Sequence, residues 1–257
     1  IGFVMARLLL ISLGQLTGAV LEQMARRGVF DEIVVASRSP MKAQAKVNNA
    51  RIGAALEGKY PEITAVELDF NRPDAARILK AIEPDVAFAA PSLLPWWALR
   101  ELPPGRAKEL AGLPLAAFMA CHLAPMLKLR EAWAESGLAC PWIGASYPDV
   151  VNHILALTGP APTSGIGNVA EAVPKARFVL ARNLGLAPAD IEVRLVAQHA
   201  LEYFVYSDGS VAERPPFLLE VRHGARDLTD MARNALFSAS PIPYDLDFNR
   251  ITASAAC

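Results

Sequence analysis

Apolar runs of strand length recur through the first third of the chain: LLLIS (8–12), EIVVAS (32–37), ITAVEL (63–68) and DVAFAA (85–90). Between them the apolar positions return with a 3.6-residue period, the signature of helices with one buried face. Alternating strands and helices predict parallel pairing, and runs that are apolar at nearly every position predict a sheet covered on both faces. The pattern continues with a helical region over 107–136, a strand near 141–145 and a helix over 148–157. After TGPAPTSGIGN it changes. A helix over 169–184 leads to a β-rich run, IEVRLVAQHALEYFVY (191–206), then to SDGS and a second β-rich run, PFLLEVRHG (216–224). Asp208-Gly209 between two such runs predicts a hairpin, and ARDLTDMARNALF (225–237) reads as a closing helix.

The pattern therefore predicts an α/β fold: a doubly wound, Rossmann-type parallel sheet over 5–147, then a smaller α+β lobe with antiparallel strands over 148–257. The second lobe would supply substrate contacts and a homodimer surface. Met5 reads as the start of the natural chain, and LLLIS is too short to span a bilayer, so no membrane association is expected.

Charge narrows the partners. The 25 basic and 26 acidic residues are interspersed and leave a net charge of -1, which provides no field for a nucleic-acid backbone. Three cysteines, Cys121, Cys140 and Cys257, form no CxxC pair, which argues against zinc and against a disulfide framework and points to a reducing cytoplasm. No spacing of His, Cys and carboxylate suggests a metal site, and no GxSxG elbow suggests serine hydrolysis.

The stretch LLLISLGQLTGAVLEQM (8–24) carries the first candidate chemistry. It runs a strand through a glycine turn into a helix, as a dinucleotide site does, but its glycine spacing is unusual. The three small-residue tasks of that turn fall to Ser12, Gly14 and Gly18. The start of the helix favours a diphosphate, with Gln15, Leu16 and Thr17 offering backbone donors or a hydroxyl. The second strand ends Ser37, Arg38, Ser39, with Lys42 following, where an acid would receive the ribose hydroxyls of NAD. A cation in place of that acid predicts the 2′-phosphate of NADP, so NADPH is the expected cofactor. Asp69, after the third strand, either contacts adenine or caps the next helix, and Ala90 and Pro91 close the fourth strand where ligands collect.

GQLTGAVLEQMARRGVFDEIVVASRS (14–39) resembles the first βαβ unit of the lactate and malate dehydrogenase family. The run from SYPDVVNHILALTG through GIGNVAEAVPKARF to VAQHALEYF (146–204) is similar to that family's later part. The resemblance implies a hydride transfer between nicotinamide and a small, carboxylated carbonyl or hydroxy substrate. It implies His199 as the acid/base and Arg177 as the carboxylate clamp. Two departures accompany it: Pro174 stands where the family has an aspartate, and Tyr147 where it has an asparagine. Glu171, Glu202 and Asp149 are alternative partners to orient the histidine. The chain also ends earlier than most members, which implies a missing terminal helix. A second stretch, AVELDFNRPDAARILKAIEPDVAFAAPS (65–92), resembles the NADP-binding half of saccharopine dehydrogenase-like proteins. A non-catalytic NADP-binding regulator is the alternative in a different class.

Several groups carry two readings. His122 and His223 read as structural, and His153 with Asn152 as a reserve acid/base pair. GIGN (165–168) is either a second anion-binding turn or a packing loop. Trp96 and Trp97, in the proline-rich segment PSLLPWWALRELPPG (91–105), either close over the nicotinamide or anchor a subunit contact. Arg100 and Arg106 beside them are candidates to polarise a carbonyl, or are surface cations.

Overall fold

The computed structural model describes residues 6–94, 102–111, 115–206, 214–238 and 248–257. Trp96, Trp97, Arg100 and Asp208-Gly209 lie outside these residues. Two compact units form: residues up to Ile166 with Ala256–Cys257, and Gly167–Ala255.

The first unit is a six-stranded parallel sheet in the order β3-β2-β1-β4-β5-β6. Its strands are β1 (Arg7–Ile11), β2 (Glu32–Ser37), β3 (Glu62–Glu67), β4 (Val86–Ala89), β5 (Trp142–Gly144) and β6 (Ser164–Gly165). The helices are α1 (Gln15–Arg27), α2 (Pro40–Leu56), α3 (Ala75–Ile82), α4 (Pro104–Ala111), α5 (Met119–Ser136) and α6 (Pro148–Thr158). The continuous apolar runs follow from burial on both sides. Leu9, Ile11, Val34, Ala36, Ala87 and Ala89 pack in one core with Leu79 of α3, Leu129 and Trp133 of α5 and Leu155 of α6. The alternate positions Leu8, Leu10, Ile33 and Val35 are buried as well, in the strands that α1 and α2 contact. Because all the strands are parallel, the exits of β1, β2, β4 and β5 share one edge, and the order reverses between β1 and β4. Ligands of open α/β sheets bind at such a reversal.

The predicted 107–136 helix is two helices, α4 and α5, with a 3-10 turn at Leu115–Phe118 before the second. The unit boundary falls at Ile166, beyond the expected division at 147/148, because α6 packs on α5 and against β6.

The second unit holds α7 (Ala172–Leu184), β7 (Glu192–Ala197), α8 (Leu201–Tyr206), β8 (Phe217–His223), β9 (Arg226–Asp227), α9 (Thr229–Leu236) and most of α10 (Phe248–Ala256). β7 and β8 pair antiparallel, with Val193 opposite Val221 and Leu195 opposite Leu219. These inward residues pack on Val179 and Leu180 of α7 and Ala232 of α9. The β-rich run 191–206 is not one strand. It ends at Ala197, and a turn through His199 begins α8, whose Leu201 and Val205 bury against Ala172 and Ala176 of α7. The closing helix is likewise shorter than 225–237: Arg226–Asp227 extend the sheet, and Asp227 accepts a hydrogen bond from Thr229 N at the start of α9.

Candidate functional sites in the two units

The glycine turn leaves β1 at Ser12, whose N–H still bonds Ala36 O at 2.9 Å while its backbone swings to φ 70°. Serine thus holds the left-handed conformation that glycine adopts with less strain. Gly14 is the N-cap of α1 in ordinary extended backbone, φ −77°, and a Cβ built on it meets nothing within 4 Å. Neither strain nor packing within the chain requires a glycine there; an approaching ligand would. The helix start carries no side-chain cap and no acidic residue in its first turn, so its positive end is not neutralised locally. Gln15 is exposed and Leu16 half-buried, but Thr17 is fully buried and its hydroxyl has no hydrogen-bond partner. The expected hydroxyl donor therefore lies beneath the turn rather than on it, which leaves the Thr17 backbone amide at the helix start. These features fit a diphosphate.

Sequence reading missed Lys46. From α2 its ammonium donates to Gly14 O at 2.9 Å and Leu13 O at 3.4 Å, passing Gly18, where a Cβ would lie 3.2 Å from Nζ. Gly18 thereby admits the strut that holds the turn. Burial lowers the Lys46 pKa, opposed by Glu22. No short motif marks such a lysine, because its partners are carbonyls of a different element.

At the β2 exit, Ser37 Oγ accepts the Ser39 N–H at 3.3 Å, and Arg38 and Lys42 are exposed. Asp69 caps neither α3 nor any other helix. It accepts from Asn71 N at 3.0 Å and from Asn71 Nδ2 at 2.7 Å, while α3 begins six residues on, at Ala75. Those bonds, with Arg38 and Arg72 adding to them, hold its carboxyl below the usual range. At the β4 exit Ala90 N bonds Ile11 O at 3.2 Å, and Pro91 is buried with its carbonyl taken by Ser146 Oγ at 2.5 Å. The reserve pair dissolves. His153 is exposed, whereas Asn152 Nδ2 reaches Gly144 O and Ser164 O at 3.5 Å each, a wedge between β5 and β6. A Cβ on Gly144 would collide with that wedge.

In the second unit the turn between β7 and α8 builds a histidine site. Glu202 N donates to His199 O at 2.9 Å, and Glu202 Oε2 lies 2.9 Å from His199 Nε2. Of the three carboxylates left open by sequence, Glu202 is thus the one hydrogen-bonded to the imidazole. Glu171, 6% exposed, belongs to the same cluster: burial, then the Glu202 charge, raises its pKa to about 7, against the pull of His199. Gly167 borders the imidazole, since a Cβ there would lie 3.6 Å from Cγ. Asp149, in the first unit, acts on Tyr147, whose pKa is raised by burial first and by Asp149 second.

Arg177 lies half-buried on α7. Its Nε is buried with no hydrogen-bond partner, and it forms no ion pair among the described residues. Two residues earlier, Lys175 is buried and donates to Val205 O, tying α7 to the end of α8. The cation suits that end of a helix, where carbonyls lack partners. Pro174 is the third residue of α7, a position that needs no N–H. Among the described residues no group of three or more His, Cys, Asp or Glu is placed to hold a metal ion, and no helix is long and apolar enough to cross a membrane.

The strand order and the turn after β1 define the class, an open, doubly wound α/β architecture. Solved structures specify the fold further. The chain is similar to lactate dehydrogenase of Cryptosporidium parvum, a structure complexed with lactic acid and β-nicotinamide adenine dinucleotide. The identity is 14% and the TM-score 0.67 over 99% of this chain and 76% of that one. It is similar to a lactate dehydrogenase from a Medee basin deep-sea metagenome library, at 13% identity and TM-score 0.59 over 98% and 69%. It also matches malate dehydrogenase of Picrophilus torridus, at 14% identity and TM-score 0.60 over 90% and 65%. The fold is that of lactate and malate dehydrogenases, and the chain spans about two thirds to three quarters of these neighbours' lengths. No protein-family model matches the sequence, and no curated protein matches it.

Proposed function

We propose that the protein is an NADP-preferring oxidoreductase that moves a hydride between nicotinamide and a small carboxylated carbonyl or hydroxy substrate. The observation that carries the reading is Arg177, a half-buried guanidinium whose Nε has no partner and which pairs with no carboxylate among the described residues. Burying a charge without a counter-charge is costly, and a substrate carboxylate removes that cost. His199, held by Glu202, exchanges the proton at the substrate oxygen, within the range of pH where imidazole does so readily. The bound cofactor supplies and accepts the hydride; the chain supplies anion recognition, a proton and charge complementarity.

The NADP preference rests on Ser37, Arg38, Ser39 and Lys42 at the β2 exit, where no acid follows the strand directly. Arg38→Ala is expected to narrow the difference in affinity between NADPH and NADH, and equal wild-type affinities would remove that assignment. A cytoplasmic homodimer is part of the reading, with neither nucleic acid nor membrane as partner. Exposed Ile52 and Leu56, one turn apart on α2, and Tyr60 after it are apolar surface suited to a second copy.

The decisive test is kinetic. His199→Ala is expected to lower turnover ~10²- to 10⁴-fold with little change in NADPH affinity. Arg177→Leu is expected to raise the Michaelis constant for carboxylated substrates. NADPH binding with no turnover of any small 2-oxo or 2-hydroxy acid would instead select a non-catalytic NADP-binding regulator.

A further inference from the structure

The turn between β1 and α1 is held from one side by α2, and that hold decides where its amides point. Ser12 N bonds Ala36 O at 2.9 Å, so the chain is anchored to β2 as it leaves the sheet. The next two carbonyls are taken by α2: Lys46 Nζ donates to Gly14 O at 2.9 Å and makes a longer bond to Leu13 O at 3.4 Å. Gly14 O also accepts Gly18 N at 3.1 Å, so one oxygen joins the turn, the first bond of α1 and the lysine. None of the described peptides is cis. In a trans peptide the N–H points opposite to the C=O of the same plane. Drawing Leu13 O and Gly14 O toward α2 therefore turns the N–H groups of Gly14 and Gln15 away from it, at a helix start where a Cβ on Gly14 meets nothing within 4 Å.

The turn's own residues do not supply this control. The usual fingerprint G-x-G-x-x-G sets two residues between its second and third glycines, whereas Gln15, Leu16 and Thr17 separate Gly14 from Gly18. The start of α1 has no side-chain cap, and Ser12 stands in a left-handed conformation suited to glycine. Lys46, by contrast, is fitted closely. The three atoms nearest a Cβ on Gly18 all belong to Lys46, with Nζ at 3.2 Å, so a side chain at position 18 would push the ammonium off its carbonyls. Lysines are normally left solvated, and drawing this one partly out of water is offset by the carbonyls it holds.

Resting on the reading of the chain as a nicotinamide enzyme, we propose that Lys46 is a positioning residue for the cofactor diphosphate, aiming the Gly14 and Gln15 amides through the carbonyls behind them and adding a positive charge beside them. Gly18 is the seat that lets the ammonium reach those carbonyls. The altered glycine spacing is then compensated from α2, by a residue that itself need not touch the ligand.

The test sets NADPH affinity, from nicotinamide fluorescence, beside melting temperature in a cycle of two variants. Lys46→Met keeps the stem and removes the charge and the donors, and is expected to weaken NADPH roughly tenfold, the equivalent of one misdirected bond to a charged group. Gly18→Ala displaces the ammonium while leaving it charged. Because alanine favours a helix more than glycine does, that variant is expected to melt no lower than the wild type and yet to bind NADPH several-fold more weakly. In the Lys46→Met background the same methyl has no ammonium to displace and should cost no further affinity. A lysine that only braced the fold would lower the melting temperature and leave the affinity of the folded fraction unchanged; that result overturns the proposal and leaves the dinucleotide reading standing. Should Lys46→Met fail to fold, Gly18→Ala decides alone, and wild-type affinity in it overturns the proposal. An alanine penalty equal with and without the lysine places the effect in α1 itself and overturns it too. A wild-type protein that binds no NADPH overturns the nicotinamide reading, and this proposal with it.

Discussion

Gly14→Val separates a turn kept for its fold from a turn kept for a ligand. The backbone at Gly14 sits at φ −77° and ψ −160°, which valine adopts readily, and a Cβ there meets no atom within 4 Å. The cost to the fold is therefore confined to the N-cap, where an aliphatic residue serves less well than glycine, about 1 kcal/mol. For a chain of this length that is a fall of roughly 2–4 °C in melting temperature. The cost to a bound diphosphate is larger. Two methyl groups at the start of α1 would displace a phosphate from one or more amides, and a hydrogen bond to a charged group is worth about 1.5–3 kcal/mol. One such bond corresponds to roughly a 10- to 150-fold rise in Kd for NADPH. Titration by nicotinamide fluorescence, beside a thermal melt, reads both quantities on one sample. A variant that melts within a few degrees of the wild type and binds NADPH unchanged would refute the placement of the diphosphate. A variant that loses most of its stability would refute the claim that Gly14 is structurally dispensable.

Two further predictions follow from neighbouring geometry. Ser12→Gly relieves a left-handed serine, about 1–2 kcal/mol, against roughly 0.5–1 kcal/mol of added backbone entropy, so a small rise in melting temperature is expected. A fall would mean that the serine hydroxyl holds the turn. Glu171, raised to about 7 by burial first and by Glu202 second, binds its proton more tightly folded than unfolded. The stability this gives is complete below its ordinary value of 4.5 and is lost as pH rises through about 7, at most roughly 3 kcal/mol. Glu171→Gln should therefore melt higher than the wild type at pH 8, with the advantage shrinking toward pH 4; parallel pH profiles would contradict the shift.

The parts that were legible in the sequence are those where one residue type answers one demand. β1 to β4 show as apolar runs because helices cover both faces, and Leu9 and Leu10 are equally buried on opposite sides. β6 left no such mark, since Ser164–Gly165 pairs through backbone alone and is exposed. α8 was hidden because LEYFVY has the composition of a strand, and only the packing of Leu201 and Val205 on α7 fixes it as a helix. At the candidate sites, Arg177 and His199 were marked by resemblance and the glycine turn by its small residues. Lys46 and Lys175 were not, because each reaches carbonyls more than 25 residues away in sequence, and nothing local to a lysine records that reach. Pro125 was equally silent: its effect is to free a carbonyl for Leu93.

Pro174 looks at first like the loss of an essential carboxylate, but the local structure weighs against that view. The third residue of α7 needs no N–H, so proline fits there without breaking the helix. The partner of the imidazole comes instead from Glu202, three residues after His199, and both ends of that span are hydrogen-bonded, backbone to backbone and ring to carboxylate. One turn of chain thus supplies both of these bonds. Glu202 also sits in the first turn of α8, where negative charge is favoured. This arrangement brings a second carboxyl, the buried Glu171, toward the half-buried Glu202, and two carboxylates in one cluster resist ionising together. Glu171 accordingly keeps its proton up to about pH 7. In the proposed mechanism Glu202 does what a carboxylate at position 174 would do, and Glu202→Gln is expected to lower turnover with little change in NADPH affinity; unchanged turnover in a folded variant would refute that role.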